Sequence, residues 1–256
     1  MGSEPEPFAV VIAAYNEGAA VRVHLEAVGS ALARIAGNHA LVVVDDGSSD
    51  DTTAGIAAAS IPPSVDVAAV RHEQNRGYGA ALRTGATRAA ELGRAWVLFM
   101  DADGTNPPAH IERFVRAAHP GVDHLKGTRY GPDAAVVGVP AGRRLVSRAG
   151  NGFARLLLRT PPRDTTNGFR AIRTGPFLAM PLAESGFPII MEELRWAYRA
   201  GLRGCDVPTT LSTRADDQRA SGFGYRPATI WRYARHVLAA AGDRVRRRSR
   251  EGWNQS

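Results

Sequence analysis

Two acidic residues, Asp101 and Asp103, stand one residue apart directly after the apolar run Trp96–Met100. A run of this length and type predicts a fully buried strand of a parallel sheet, and Gly104 and the prolines at 107–108 predict a turn after it. Ligands of open α/β sheets bind at the carboxyl ends of strands. Two hard carboxylates at such a place suit Mg²⁺ or Mn²⁺ shared with substrate phosphates. The alternative is a surface turn with two solvated acids.

Two other predicted strands, Phe8–Ala14 and Leu41–Val44, also end on polar side chains. The polar residues that follow them are Tyr15, Glu17, Asp45 and Asp46. In a parallel sheet these strand ends share one edge with Asp101, and that edge forms a crevice suited to a nucleotide. The acids would accept hydrogen bonds from a base or ribose, and Tyr15 would lie against a base. The chain lacks a GxGxxG motif after the first strand and a GxxxxGK[ST] motif anywhere, which argues against dinucleotide and P-loop sites.

The elements around these residues must bring the strand ends together. Strands are predicted at Phe8–Ala14, Leu41–Val44, Val65–Val70 and Trp96–Met100, with helices at Ala19–Ile35, Thr52–Ser60 and Ala80–Leu92. Asn16 is a candidate cap for the first of these helices. Between the third strand and its helix, the segment 75–79 carries two glycines, which suit either a close approach to phosphate or an ordinary turn. This alternation predicts an α/β fold: a doubly wound, mostly parallel sheet with helices on both faces.

Beyond residue 108 the alternation is looser. Helices are predicted at His110–Ala118, Arg143–Leu158 and Ile190–Ala200, and strands at Val122–Lys126, Thr165–Ile172 and Cys205–Leu211. The segment Gly131–Gly142 is rich in Gly, Pro and Ala and predicts a mobile loop. We interpret the second half as an extension of the first sheet, which shapes a substrate pocket, rather than as an independent domain.

Length, cysteine usage and termini limit the class of protein. The 256 residues suffice for a substantial core, and the single cysteine forbids an internal disulfide. The acidic start MGSEPEP has no signal-peptide pattern, and no apolar run reaches the ~18 residues needed to cross a bilayer. These features predict a cytoplasmic protein.

The net charge of +7 is concentrated near the C-terminus. Residues 226–250 contain eight arginines and one acid, Asp243, while the remaining charges balance. Apolar side chains between 230 and 241 fall on one helical face, which predicts either a helix packed on the domain or one lying on an anionic membrane surface through residues 227–250. A nucleic-acid-binding tail is a further alternative, but it leaves Asp101 and Asp103 unexplained, so no specific nucleic-acid partner is expected.

Four segments in order, FAVVIAAYNE, LVVVDDGSSDDT, NRGYGAALRTG and LFMDADGTNPP, resemble the inverting family 2 glycosyltransferases of GT-A fold. Later segments, including KGTRY, RRLVSRAGNGFARLLL and RDTTNGFRAIR, are similar to the dolichol-phosphate mannose synthase branch. The resemblance covers residues 8–225, with a nucleotide-binding half at 8–105 and an acceptor-binding half at 106–225, followed by a basic helix and tail at 226–256. It implies a nucleoside-diphosphate-sugar donor, Mg²⁺ or Mn²⁺, and a polyprenyl-phosphate acceptor.

The resemblance also implies roles for individual residues. The donor nucleotide would contact Ala14, Tyr15, Glu17, Asp45, Asp46, Gly77, Asp101 and Ala102, and the metal would bind Asp101 and Asp103. The acceptor would contact Arg129, Arg143, Ser147, Asp164, Gly168 and Arg170. The catalytic set would be Asp103, Arg129, Arg143 and Glu192. For each arginine the alternative is a surface charge or an ordinary ion pair, and for Glu192 a helix-start acid.

These features lead to one expected reaction and its alternatives. The expected reaction is an inverting transfer of a sugar, with GDP-mannose favoured, to a polyprenyl phosphate on the inner face of a membrane. The alternative acceptor is a hydroxyl of a small molecule or another lipid, with a donor such as a UDP-sugar. A sugar-nucleotide pyrophosphorylase would need a glycine-rich basic loop after the first strand, which the segment 14–18 lacks. Thr105 stands where the branch has a metal-binding glutamine, so its own part in metal binding stays open.

Overall fold

A computed structural model describes residues 5–130, 135–136, 163–211 and 231–239. Its strands are β1 Phe8–Ala14, β2 Ala40–Asp45, β3 Asp66–Arg71, β4 Trp96–Asp101, β5 His124–Thr128, β6 Ala135–Val136, β7 Arg170–Arg173, β8 Gly204–Pro208 and β9 Thr210–Leu211. Its helices are α1 Val21–Leu32, α2 Thr52–Ala57, α3 Tyr78–Glu91, α4 Ile111–Ala117, α5 Thr174–Ala179, α6 Ile189–Arg199 and α7 at 231–239. The predicted helix at Arg143–Leu158 lies outside the described residues, as does most of the predicted loop at Gly131–Gly142.

Seven strands form one sheet in the order β3-β2-β1-β4-β7-β5-β8. Neighbouring strands run parallel except β7, which is antiparallel to both β4 and β5. Ala14 of β1 pairs with Asp45 of β2, and Ala13 pairs with Asp101 of β4. Since adjacent strands lie about 4.8 Å apart, the strand ends at Asp45 and Asp101 lie roughly 10 Å apart across β1. The prediction that these ends share one edge is confirmed.

Helices cover both faces of this sheet, because the alternate residues of its buried strands point to opposite sides. Phe8, Val10 and Ile12 of β1 pack with α1 and α4, whereas Ala9 and Val11 pack with α3, α5 and α6. Each face therefore has its own apolar core. The predicted mostly parallel α/β sheet with helices on both faces is confirmed.

Two strands predicted in the second half differ from the structure, and one helix there was not predicted. The strand predicted at Thr165–Ile172 begins only at Arg170, because the side chain of Asn167 closes a turn by accepting from the backbone N–H of Phe169. The strand predicted at Cys205–Leu211 is split at Thr209, where the chain leaves β5 and pairs with β6. Helix α5 was not predicted, since Gly175 and Pro176 are typical of turns; proline is tolerated in a first helical turn, and Phe177 anchors the helix in the core.

Candidate active site

The loop after β1 is tied to the loop after β2. The backbone N–H of Asn16 donates to Ser48 Oγ at 3.1 Å, and its side-chain Oδ1 accepts from the backbone N–H of Ser49 at 2.9 Å. The side chain of Asn16, which has a φ of 53°, forms this bridge and does not cap a helix. The prediction that Asn16 caps the first helix is therefore wrong. Tyr15 stands beside the bridge with 45% of its surface exposed. The two loops thus form a fixed floor with an accessible aromatic ring.

Asp45 holds the loop that follows β2. Its Oδ1 accepts from the backbone N–H of Ser48 at 2.9 Å, and its Oδ2 accepts from Thr53 Oγ1 at 2.6 Å. Burial opposes the charged form, but these hydrogen bonds outweigh it and lower the pKa of Asp45. The carboxylate therefore stays charged and fixes the loop.

Asp46 holds the turn that leads into α3. It accepts from the backbone N–H groups of Arg76 at 2.9 Å and Gly77 at 2.7 Å, and it contacts His72 Nδ1 at 2.6 Å. Gly77 has a φ of 92°, a conformation that suits glycine. The segment 75–79 is thus a turn anchored by a buried acid, and the predicted contact of Asp46 with a nucleoside stays a prediction.

Asp101 lies at the end of β4 with one close hydroxyl partner. Tyr78 Oη donates to Asp101 Oδ1 at 3.1 Å, and a Cβ added to Gly168 would lie 3.2 Å from Asp101 Oδ2. Burial and the neighbouring charge of Asp103 raise the pKa of Asp101 to about 6. Burial, followed by the charge of Asp101, raises the pKa of Tyr78, so its hydroxyl stays protonated at neutral pH.

Asp103 is oriented by the residue two positions later. The backbone N–H and the hydroxyl of Thr105 both donate to Asp103 Oδ1, at 3.1 and 2.7 Å. Ala102, between the two acids, is buried in the apolar core, so it holds the chain between Asp101 and Asp103 in place. In this arrangement Thr105 supports a carboxylate.

The acids at this edge fit a divalent cation that takes few protein ligands. No three His, Cys, Asp or Glu side chains converge as a closed metal cage in the described part of the chain. Asp103 and Glu17 nevertheless repel a charge on Asp101, and Arg170 only partly offsets them, so a bound cation would relieve this repulsion. Mg²⁺ and Mn²⁺ commonly bind through one or two carboxylates and complete their shell with phosphate oxygens and water.

The predicted acceptor residues Arg129 and Asp164 are direct partners. Arg129 Nε and Nη2 contact the two carboxylate oxygens of Asp164 at 2.5 and 2.9 Å, and Nη2 also lies 3.2 Å from Thr166 Oγ1. The Arg129 side chain is 18% exposed and that of Asp164 is fully buried. This arginine is therefore held at the surface by a buried acid.

The predicted acceptor residue Arg170 lies inside the protein. Its guanidinium contacts Glu193 through Nε at 2.9 Å and Nη2 at 2.6 Å, and Nη1 donates to the carbonyl of Gly168 at 2.8 Å. Burial opposes ionisation of Glu193, but Arg170 outweighs it and lowers the pKa of Glu193 to about 2. Arg170 thus holds the turn at Gly168 through its carbonyl oxygen. The Arg170 side chain itself has no exposed surface.

Lys126 and His124 extend this buried cluster along β5. Lys126 Nζ donates to the carbonyl of Asn167 at 2.7 Å, and His124 Nε2 contacts Glu193 at 3.1 Å. Burial and the charge of Arg170 lower the pKa of Lys126 to about 7. Sequence reasoning did not assign these two residues to the site. The one feature that could have drawn attention to Lys126 is that it is the only lysine in the chain.

Glu192 supports the segment that precedes α6. Its carboxylate accepts from the backbone N–H groups of Ala183, at 3.1 and 3.0 Å, and Glu184, at 2.8 Å. Ser185, in the same segment, accepts from the N–H of Gly79 in α3 at 2.7 Å. Glu192 and Gly79 therefore hold the segment 183–185 between α6 and the start of α3. Of the other predicted residues, Arg143 and Ser147 lie outside the described residues.

Helix α7 packs against this same segment. Glu184 is buried and binds Arg232, Arg235 and His236, while Tyr233 and Val237 pack against α6. Trp231 and Leu238 remain 62% and 49% exposed. No helix within the described ranges has the length and apolar character to span a membrane.

Two proteins with similar sequences are named for mannose transfer to polyprenyl phosphates. The polyprenol monophosphomannose synthase of Mycolicibacterium smegmatis is 29% identical over 93% of this chain and 89% of its own. The dolichol-phosphate mannosyltransferase of Pyrococcus furiosus is 29% identical over 89% of this chain, which spans 62% of that relative. These relatives confirm the resemblance to the polyprenyl-phosphate mannosyltransferases drawn from the sequence motifs.

A solved structure shares the fold. The glucosyl-3-phosphoglycerate synthase of Mycobacterium tuberculosis, crystallised with Mn²⁺, UDP and glucosyl-3-phosphoglycerate, superposes with a TM-score of 0.65. Its sequence is 21% identical, and the match covers 93% of this chain and 80% of that one. Residues 9–178 match the family described as Glycosyl transferase family 2. The chain therefore belongs to glycosyl transferase family 2 and is a glycosyltransferase of GT-A fold.

Proposed function

We propose that this enzyme transfers a sugar, with mannose from GDP-mannose favoured, to the phosphate of a polyprenyl phosphate with inversion at the anomeric carbon. The observation that carries the proposal is the meeting of the strand ends of β1, β2 and β4 around Asp101 and Asp103. Relatives named for phosphomannose synthesis on polyprenols support the acceptor class.

The donor side would be built by three groups. Tyr15, on the floor formed by the first two loops, offers its exposed ring to a base. Glu17 and the strand ends would line the ribose and phosphates. Asp101 and Asp103 would hold Mg²⁺ or Mn²⁺, which when bound neutralises charge that develops on the leaving diphosphate.

The acceptor side needs positioning more than it needs a base. A phosphate is anionic at neutral pH, so it can attack the anomeric carbon without losing a proton, whereas a hydroxyl needs a general base. Arg129, which Asp164 holds at the surface, has the forked geometry that binds phosphate oxygens. Arg143 is the second proposed phosphate ligand. Glu192 already accepts backbone hydrogen bonds at both oxygens, which suits a support and not a base.

Helix α7 and the tail would place the enzyme at a lipid surface. Trp231 and Leu238 are exposed on α7, and the arginines between residues 244 and 250 follow it in the sequence. Such a combination favours anionic interfaces, where each basic residue contributes about 1 kcal/mol. We expect the full chain to sediment with anionic liposomes. Replacing the five arginines between 244 and 250 by glutamine should release it, and unchanged sedimentation of that variant would refute the contact.

A transfer assay tests the reaction itself. The purified chain, Mn²⁺ and undecaprenyl phosphate would be incubated with labelled GDP-mannose, UDP-glucose or a dTDP-sugar, and the lipid phase counted. Label is expected in the lipid phase from GDP-mannose. Absence of transfer from every donor would overturn the proposal.

Two variants separate the acceptor classes. If the acceptor is a phosphate, Arg143→Ala should abolish transfer and Glu192→Gln should retain most of it. The reverse pattern, with Glu192→Gln inactive and Arg143→Ala harmless, would show that the acceptor is a hydroxyl.

A further inference from the structure

Tyr78 joins parts of the enzyme that are far apart in the sequence. It begins α3, its hydroxyl reaches Asp101 Oδ1 at 3.1 Å, and its ring stacks on Phe187 with centroids 4.6 Å apart and planes 22° apart. Phe187 belongs to the segment before α6 that Glu192 and Glu184 hold. One side chain therefore touches both the metal-binding edge and the acceptor half.

The backbone around Tyr78 is fixed independently of its hydroxyl. Asp46 binds the N–H of Gly77, and Gly79 donates to the carbonyl of Ser185 at 2.7 Å. A phenylalanine at position 78 would keep the same backbone and the same stack. The hydroxyl is therefore not needed to build α3. Its described partners are the Asp101 carboxylate, at 3.1 Å, and the buried guanidinium of Arg170.

The hydrogen bond restricts the carboxylate that it meets. Asp101 is the last residue of β4, so its backbone is fixed by the sheet, and the remaining freedom lies in its side-chain torsions. A donor on Oδ1 limits rotation of the carboxylate, while the backbone at Gly168 leaves room for it that a Cβ would take. Groups that orient a metal ligand in this way commonly change metal affinity 10- to 100-fold when removed.

We propose that Tyr78 is a positioning residue, whose hydroxyl orients the Asp101 carboxylate for the divalent cation and whose ring, stacked on Phe187, aligns that carboxylate with the acceptor half. This inference rests on the proposed function, because it takes Asp101 as a cation ligand. It assigns to Tyr78 a task in binding and alignment, with no contact to the reacting atoms.

The test is direct binding of Mn²⁺ in the presence of GDP, followed by calorimetry or electron paramagnetic resonance without acceptor. Tyr78→Phe is expected to weaken Mn²⁺ binding about tenfold or more while its melting temperature stays near that of the unmodified enzyme. In transfer assays the concentration of Mn²⁺ needed for half-maximal rate should rise more than the maximal rate falls. Tyr198→Phe, which removes a hydroxyl from α6, is the matched control and should bind Mn²⁺ normally.

A second variant tests the stack. Phe187→Leu keeps the Tyr78 hydroxyl and should weaken Mn²⁺ binding less than Tyr78→Phe does, while lowering the maximal transfer rate. Equal Mn²⁺ affinity of Tyr78→Phe and the unmodified enzyme would overturn the inference and leave the proposed function standing. Failure of the unmodified enzyme to bind Mn²⁺ with GDP, UDP or dTDP would overturn both.

Discussion

Arg129 and Asp164 form a forked ion pair in which the acid is fully buried and the arginine reaches the surface. Both residues were predicted to contact the acceptor, yet in the structure each is the other's partner. A guanidinium held in this way is already oriented, so if Arg129 binds the acceptor phosphate as proposed, it loses less rotational freedom on binding.

Removing the arginine should destabilise the fold as well as slow transfer. Arg129→Ala removes the forked contact to the buried Asp164 carboxylate, and breaking a buried ion pair from one side costs about 3–5 kcal/mol. The free energy of unfolding in urea should show this loss. Arg116→Ala, which removes an exposed arginine paired with Glu112, should change it by less than about 0.5 kcal/mol. Equal effects of the two variants would contradict the pairing.

The buried Lys126 should make the free energy of unfolding increase with pH above neutrality. Its pKa is lowered from 10.5 to about 7 in the folded protein, so between these values the unfolded chain binds more protons than the folded one. Stability should therefore rise with pH across this window, by at most about 1.4 kcal/mol per pH unit for one proton. Lys126→Met should lack that rise. Urea unfolding at pH 7, 8 and 9 measures the difference, and parallel curves for the two proteins would refute it.

The attachment of α7 should depend on the charge of Glu184. Burial opposes that charge, but hydrogen bonds from His236, Arg232 and Arg235 outweigh it, and the pKa of Glu184 is lowered. The stability from this charge is present above the ordinary pKa of 4.5 and is lost as the pH falls through the lowered pKa.

Glu184→Gln should accordingly loosen α7 at neutral pH. Amide hydrogen exchange in residues 231–239 should speed up about tenfold, since hydrogen bonds between charged partners contribute about 1.5–3 kcal/mol. Glu112→Gln, at an exposed pair, serves as the control. Unchanged exchange in α7 would show that its apolar contacts suffice.

Gly79 should tolerate no side chain where α3 meets the segment before α6. A Cβ at this position would lie 2.2 Å from the backbone oxygen of Glu184. Gly79→Ala should therefore cost about 1–3 kcal/mol in unfolding free energy. Gly175→Ala, in α5 with nothing within 4 Å, should stabilise the protein by about 0.5 kcal/mol. A neutral Gly79→Ala would mean that the segment yields easily.

Local sequence predicted the positions of residues whose surroundings are formed by their neighbours along the chain. Apolar runs followed by acids placed Asp45 and Asp101 at one sheet edge, because a buried strand and the turn after it are encoded within a few residues. The burial of Arg170 was not predictable in this way. Its partner Glu193 lies 23 residues away, and an arginine beside a glycine-containing turn is equally typical of a phosphate site.

Pairs of side chains that are far apart in the sequence could not be predicted from motifs either. Glu184 and Arg235 are 51 residues apart, and Tyr78 and Asp101 are 23 apart, so no motif links them. The direct pairing of Arg129 with Asp164, 35 residues apart, also needed the fold, since each residue alone fits a ligand contact equally well.

The antiparallel strand β7 sits between β4 and β5, pairing Leu98 with Ala171 on one side and Leu125 with the same alanine on the other. Strand β7 thus joins the proposed nucleotide-binding half to the proposed acceptor-binding half within one hydrogen-bonded sheet. Chimeras that graft the first hundred residues onto another family member would have to rematch this strand pairing. New sugar or acceptor preferences in such a chain should therefore arise by changes in loops, residue by residue, and not by shuffling of halves.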